Sequence, residues 1–210
     1  MKVTEIWRKL VLDEARVVSI EDLDGLARSA GHGPGRAINY LKSQGYIDRV
    51  FRGVYYVRSP KEVELGYISM PPLEIVAMAL EVRGITRWYF GLETALKLNA
   101  LTHEYFDVTY VITDSLRTTR AISALGLRLR FLRWRSGLLS FGIRRKGTLR
   151  YSGPEKTVLD LTYRASYSGA DPLEVWRQAE EYHVDLDPGR LRSYVKAYPK
   201  RLQKVLVWAI

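Results

Sequence analysis

Residues 19–58 hold the pattern that most restricts what this chain can become: two short amphipathic helices across a glycine cluster, then two β-prone runs across a tight turn. Ser19 is placed to cap the first helix, and Asp22 three residues on completes a weak capping box. Leu23, Leu26, Ala27 and Ala30 follow at helical spacing. Gly31-His32-Gly33-Pro34-Gly35 breaks the stripe, and a second helix turns Ala37, Ile38 and Leu41 inward before Gly45 stops it. Tyr46–Phe51 and Val54–Arg58 then read as two strands joined at Arg52-Gly53. Val17-Val18 is a third, short strand able to pair with that hairpin.

Helix, turn, helix and hairpin in this order make a winged helix. With Ala37, Ile38 and Leu41 inward, Arg36, Asn39, Tyr40 and Ser43 share the opposite face at i, i+3, i+4, i+7. Arginine grips guanine through two hydrogen bonds and asparagine grips adenine, while tyrosine and serine can hold phosphate. The hairpin adds Arg49 and Arg52, suited to phosphate or to a narrow minor groove. Double-stranded DNA is therefore the expected partner. A solvated face on a protein-docking module is the alternative reading of the same residues.

The whole chain narrows the classes further. It has 210 residues and is 47% hydrophobic, enough for real cores. Zero cysteines exclude disulfides, zinc thiolates, iron–sulfur clusters and a cysteine nucleophile. The first residues run straight into an amphipathic helix, and no apolar run approaches the roughly 18 residues of a membrane span. A cytoplasmic protein with no membrane association is expected. Net charge is +10, and residues 107–150 hold ten basic and two acidic side chains, so the strongest field lies outside the winged helix. Such a patch draws nucleic acid or an acidic protein.

The expected fold class is α+β, divided into a winged helix-turn-helix domain over residues 1–60, a connector over 61–71 and an α/β domain over 72–210 with a small mixed sheet and terminal helices. The first helix is expected at 3–14. In the second domain helices are expected at Leu73–Val82, Gly91–Leu101 and Leu116–Leu125, with a strand at Asp107–Thr113. Strands at 127–134, 138–144 and 147–151 precede helices at 154–166, 172–183, 188–197 and 200–209. Trp176, Leu202, Val205, Leu206 and Trp208 read as core, with a dimer face as the alternative. No heptad seam is present, and a homodimer stays open.

In the basic segment Leu127, Leu129 and Phe131 face a core while Arg128 and Arg130 point out. Arg133 and Arg135 need a bulge or a strand end to stay solvated. Arg144, Arg145 and Lys146, read as a hairpin turn, are expected to join them in one basic surface beside an exposed Trp134. That surface is either a charged sheet edge or a second contact for nucleic acid or a partner. In the run 151–160, Ser152 and Glu155 read as a capping box and Lys156 as an i, i+4 partner of Asp160.

Catalytic patterns are missing from the sequence, and no enzyme, metal or cofactor is expected. His32, His103 and His183 stand in three unrelated contexts. No lysine has Asp or Glu two residues before it, against a restriction-type nuclease. The two Asp-x-Asp pairs, at Asp22/Asp24 and Asp185/Asp187, look like helix starts and lack the Gly-Ser of a nucleotidyltransferase.

Leu41–Arg49 with Arg52-Gly53-Val54-Tyr55-Tyr56, the run Tyr89–Leu96 and the run Pro154–Asp160 together resemble the AbiEi family of antitoxin-like transcriptional regulators. The resemblance implies an N-terminal domain that binds operator DNA and represses its own operon. It also implies a C-terminal domain with antitoxin activity. The family's cognate toxin is nucleotidyltransferase-like, and in this type IV toxin–antitoxin arrangement the two proteins need not form a stable complex. An RNA-binding or RNA-acting protein using the basic sheet is the alternative function, and an interaction module for an acidic partner is a third.

Overall fold

The computed structural model describes residues 2–182 and 186–206. By its contacts the chain divides into two units: one runs to Thr86 and includes Ile122–Leu127, and the other comprises Arg87–Ala121 and the chain from Arg128 onward. The boundary therefore falls beyond the segment 61–71.

In the first unit α1 (Val3–Leu12) is followed by β1 (Val17–Ser19), α2 (Ile20–Ser29), α3 (Pro34–Ser43), β2 (Ile47–Phe51) and β3 (Val54–Val57). Two further helices, α4 (Pro60–Leu65) and α5 (Pro72–Val82), complete it. The capping box at α2 forms as read: Ser19 Oγ accepts from the Asp22 N–H at 3.0 Å, and the Asp22 carboxylate accepts from the Ser19 N–H at 3.2 Å. The three strands lie in the order β1-β3-β2, all antiparallel, with Val17 opposite Tyr56 and Ile47 opposite Val57. Ile6, Leu10, Leu23, Ala27, Ala37, Ile38, Leu41 and Ile47 close one core between the helices and this sheet.

The segment expected to be a plain connector starts with a capped helix. Ser59 Oγ accepts from the Glu62 N–H, and the Glu62 carboxylate accepts from the Ser59 N–H. Two functional groups of the sheet and this helix then meet in one buried network. The Glu62 carboxylate, 1% exposed, also accepts from Tyr56 OH, the Ser69 N–H and hydroxyl, and Arg16. Burial alone would raise its pKa, but the hydrogen bonds from Ser59, Ser69 and Tyr56 outweigh that and hold it at about 2.

In the second unit β4 (Trp88–Phe90) precedes α6 (Glu93–Leu98) and β5 (Val108–Thr113). Strand β6 (Ile122–Ala124) belongs by its contacts to the first unit. Then come β7 (Leu127–Arg133), a 3-10 turn at Ser136–Leu139, β8 (Ile143–Lys146) and β9 (Leu149–Ser152). The helices α7 (Pro154–Ser168), α8 (Pro172–Gln178), α9 (Pro188–Val195) and α10 (Lys200–Leu206) follow. Strands of the second unit neighbour one another in the order β7-β5-β4-β9-β8. The sheet is mixed: β5 runs parallel to β7, and β4 parallel to β9, while β4/β5 and β8/β9 are antiparallel. Tyr89, Ile112, Leu138, Val158, Leu159, Trp176, Leu191, Tyr198, Leu202 and Leu206 form its core, so the terminal helices are packed inward as expected. His183, Asp185 and Trp208 lie outside the described residues.

Three sequence expectations are corrected here. Leu116–Leu125 is not a helix. Thr118 instead lies alongside β7, its N–H donating to the Phe131 carbonyl at 3.0 Å and its hydroxyl accepting from the Phe131 N–H, and β6 occupies the end of the stretch. Leu125 and Gly126 both adopt positive φ, 54° and 75°, the geometry of a two-residue hairpin turn. Gly91–Leu101 shortens to α6, with Leu92 at φ 55° as its N-cap and Asn99 as its C-cap. The Ser152/Glu155 capping box does not form: Gly153 is the N-cap of α7, and the Ser152 hydroxyl bonds Thr157 Oγ1 at 2.7 Å inside the unit.

Candidate nucleic-acid interface

The face of α3 is built by its buried stripe. Ala37, Ile38 and Leu41 are 1%, 6% and 0% exposed, which anchors the helix by its inner side. Arg36, Asn39, Tyr40 and Ser43 are all exposed. Arg36 lies in the first turn of α3, behind Pro34 at the helix start, the end that reaches base edges in helix-turn-helix readers. The Ser43 hydroxyl donates to the Tyr40 carbonyl at 2.9 Å, leaving its oxygen lone pairs to accept or its rotor to be redirected. No side chain from the rest of the described unit bonds Arg36 or Asn39. The surface thus offers one bidentate donor fork, one amide with donor and acceptor, and one phenol over two turns of helix.

The hairpin beside it is short. Arg52 is exposed at the turn, and Gly53 takes φ 80°, a conformation that strains any residue with a Cβ. The Gly53 carbonyl accepts from the Ile20 N–H at 2.8 Å, so the turn is tied to the start of α2 rather than projecting as a long loop. Arg49 is exposed on β2 itself rather than at the turn, next to a register shift between Arg49 and Phe51. Trp7 Nε1 donates to the Arg58 carbonyl and Arg58 pairs with Asp48 at 2.6 Å, fastening the hairpin base to α1.

The single basic surface expected in the second unit is divided. Arg128, Arg130 and Arg133 lie on β7, and Arg144, Arg145 and Lys146 lie on the edge strand β8, four positions away in the strand order. Three strands stand between, about 19 Å at the usual inter-strand spacing. The last three are on a strand, not in a turn, and are exposed. Arg128 is exposed and pairs with Asp107. Arg133 Nε donates to the Asp114 carbonyl at 3.0 Å, and Arg135 donates to the Ala197 carbonyl, both just at or past the strand end that solvation required. Arg130 is half-buried. Trp134 is buried, not exposed, its Nε1 donating to Tyr167 OH at 2.6 Å.

Sequence reasoning missed the buried charge of α7. Lys156 and Asp160 are indeed i, i+4 partners, at 3.0 Å, yet both are fully buried. Tyr89 and Tyr198 donate to the two Asp160 oxygens, at 2.9 and 2.5 Å. The four side chains are at most 2% exposed, so the cluster reads as a structural lock. Among the described residues no three His, Cys, Asp or Glu side chains gather as metal donors, and no helix is long and apolar enough to cross a membrane.

Residues 8–58 match the family model described as a transcriptional regulator, AbiEi antitoxin. The match covers the winged helix from α1 through β3 and agrees with the AbiEi resemblance drawn from the sequence. The second unit lies beyond it. The crystal structure of the RV2827C protein from Mycobacterium tuberculosis is similar in fold, with a TM-score of 0.62 and 16% identity over 98% of this chain and 75% of that one. At that identity the likeness extends to fold alone. Nothing among the curated proteins matches the chain.

Proposed function

We propose that this protein is a sequence-specific DNA-binding regulator that represses its own promoter and acts as the antitoxin-like component of a type IV toxin–antitoxin operon in the cytoplasm. One observation carries the DNA reading: in the AbiEi-matching unit, α3 turns Arg36, Asn39 and Tyr40 to solvent from a fully buried stripe. In this reading α3 enters the major groove, Arg36 and Asn39 contact base edges, Tyr40 and Ser43 hold the backbone, and Arg49 and Arg52 reach the flanking phosphates. A homodimer would place two such helices on half-sites about 10 base pairs apart.

Footprinting on the DNA upstream of the gene tests it. Arg36→Ala and Asn39→Ala are each expected to cost about 1–3 kcal/mol of specific binding, with little change on unrelated duplex. Unchanged operator affinity in both variants overturns the reading. The antitoxin part rests on the family likeness, with functional pairing to a nucleotidyltransferase-like toxin without a stable complex. Co-expression with the product of the neighbouring gene tests that part, the expected outcome being restored growth without co-purification.

A further inference from the structure

The parallel strands β5 and β7 end side by side, with Thr113 opposite Arg133. Outside that end lies a cavity of about 1090 Å³ within the second unit. The carboxyl ends of parallel strands are where open α/β sheets bind ligands. Arg117, Arg130, Arg133, Arg135 and Arg164 line this cavity against a single carboxylate, Asp114. That carboxylate already faces Arg87 at 3.8 Å and the Ser136 hydroxyl at 3.2 Å. Three of the five guanidinium groups are positioned by the protein: Arg133 on the Asp114 carbonyl, Arg135 on the Ala197 carbonyl, and Arg164 on Glu93 and Tyr110 OH. Arg130 differs, for its Nε is buried with no hydrogen-bond partner among the described residues. A buried donor without an acceptor is costly, and the side chain that carries it also lines the cavity wall, adding a fifth guanidinium to it. The Arg117 loop is held against β7 by the paired Thr118–Phe131 hydrogen bonds, so this wall is preformed. Tyr167, 54% exposed at the same rim, offers an aromatic face on which a base can stack.

We propose that this cleft is a nucleotide site that recognises phosphate through Arg117 and Arg130, with Arg133 and Arg135 completing the positive wall. The phosphate arrives on a free nucleotide or at the end of a single strand. The site is independent of operator binding by α3.

Calorimetric titration of the full chain tests it with three probes: ADP, a 5′-phosphorylated hexauridylate, and adenosine. Binding of ADP identifies the free nucleotide as the source, binding of the hexauridylate alone identifies the strand end, and both support the site. Adenosine is expected to show no binding. Arg117→Ala and Arg130→Ala should each weaken the phosphorylated probe roughly tenfold or more, while Arg145→Ala on the far edge and Asn39→Ala on α3 leave it within about twofold. Arg117 is exposed and bonds no side chain among the described residues, so its variant is expected to keep the fold, checked by an unchanged melting curve. Absence of binding by both phosphorylated probes overturns the proposal, as does an equal loss in Arg145→Ala, which would mark unspecific charge attraction. Loss in Asn39→Ala would also overturn it, by assigning the binding to the winged helix.

Discussion

Lys156 Nζ lies 3.0 Å from Asp160 Oδ1, one turn along α7, and neither side chain touches solvent. The ammonium is also 4.8 Å from the Tyr89 ring centre and 4.5 Å from that of Phe141. Burial pushes the lysine pKa down and the aspartate pKa up, while their mutual attraction opposes both shifts. Tyr89 and Tyr198 add hydrogen bonds to the Asp160 oxygens, which favour its ionised form against burial. Removing one partner strands the other. Asp160→Ala is expected to lose about 3–5 kcal/mol in urea denaturation, and the double variant Lys156→Met/Asp160→Leu to lose less than Asp160→Ala alone. A loss under about 1 kcal/mol for Asp160→Ala would show that the pair stabilises nothing.

Gly142 is the lid on that lysine. It adopts φ 63°, and a Cβ there would stand 2.9 Å from Lys156 Cβ and 3.0 Å from Tyr194. Backbone strain and overlap act together, so Gly142→Ala is expected to cost about 2–4 kcal/mol. Gly147→Ala supplies the comparison: it shares a positive φ, 58°, but has open space around it. The difference between the two melting shifts measures the packing term alone.

Glu62 makes the first unit acid-sensitive. Its folded pKa, about 2, is below its ordinary 4.5, so the folded state binds this proton less readily than the unfolded chain. Its contribution is therefore complete above pH about 4.5 and is lost as pH falls toward 2. Amide exchange of β2 and β3 should accelerate across that window in the native protein. Glu62→Gln should lower protection by about 1–3 kcal/mol at neutral pH and flatten the acid dependence. A variant with the same acid profile as the native chain would contradict the assignment.

Salt would separate the two kinds of contact in the proposed DNA complex. A phosphate contact by Arg52 implies that Arg52→Ala weakens cognate and unrelated duplexes alike and lowers the slope of log affinity against log salt by about 1. Asn39→Ala should leave that slope nearly unchanged, since a neutral amide displaces no counterion. Anisotropy titrations between low and moderate salt read both.

The winged helix was legible because its signals are short-range. The Ser19/Asp22 capping box, the Ala37-Ile38-Leu41 stripe and the turn at Arg52-Gly53 each depend on residues within four positions of one another. The second unit was less legible. Trp88-Tyr89-Phe90 is a three-residue strand buried on both faces, and such a run carries no alternation to distinguish it from the start of a helix. Leu116–Leu125 has helical spacing, but pairing with Phe131 and a positive-φ turn at Leu125-Gly126 override it.

By itself, then, the sequence determined α3 and which of its side chains face outward, since helical periodicity alone sorts those residues. Tertiary structure decided the rest. Strand order put three strands between the arginines of β7 and the basic run of β8, and helix packing enclosed Lys156 with Asp160. Both outcomes follow from contacts between residues far apart in the chain, where spacing along the sequence carries no information about distance in space.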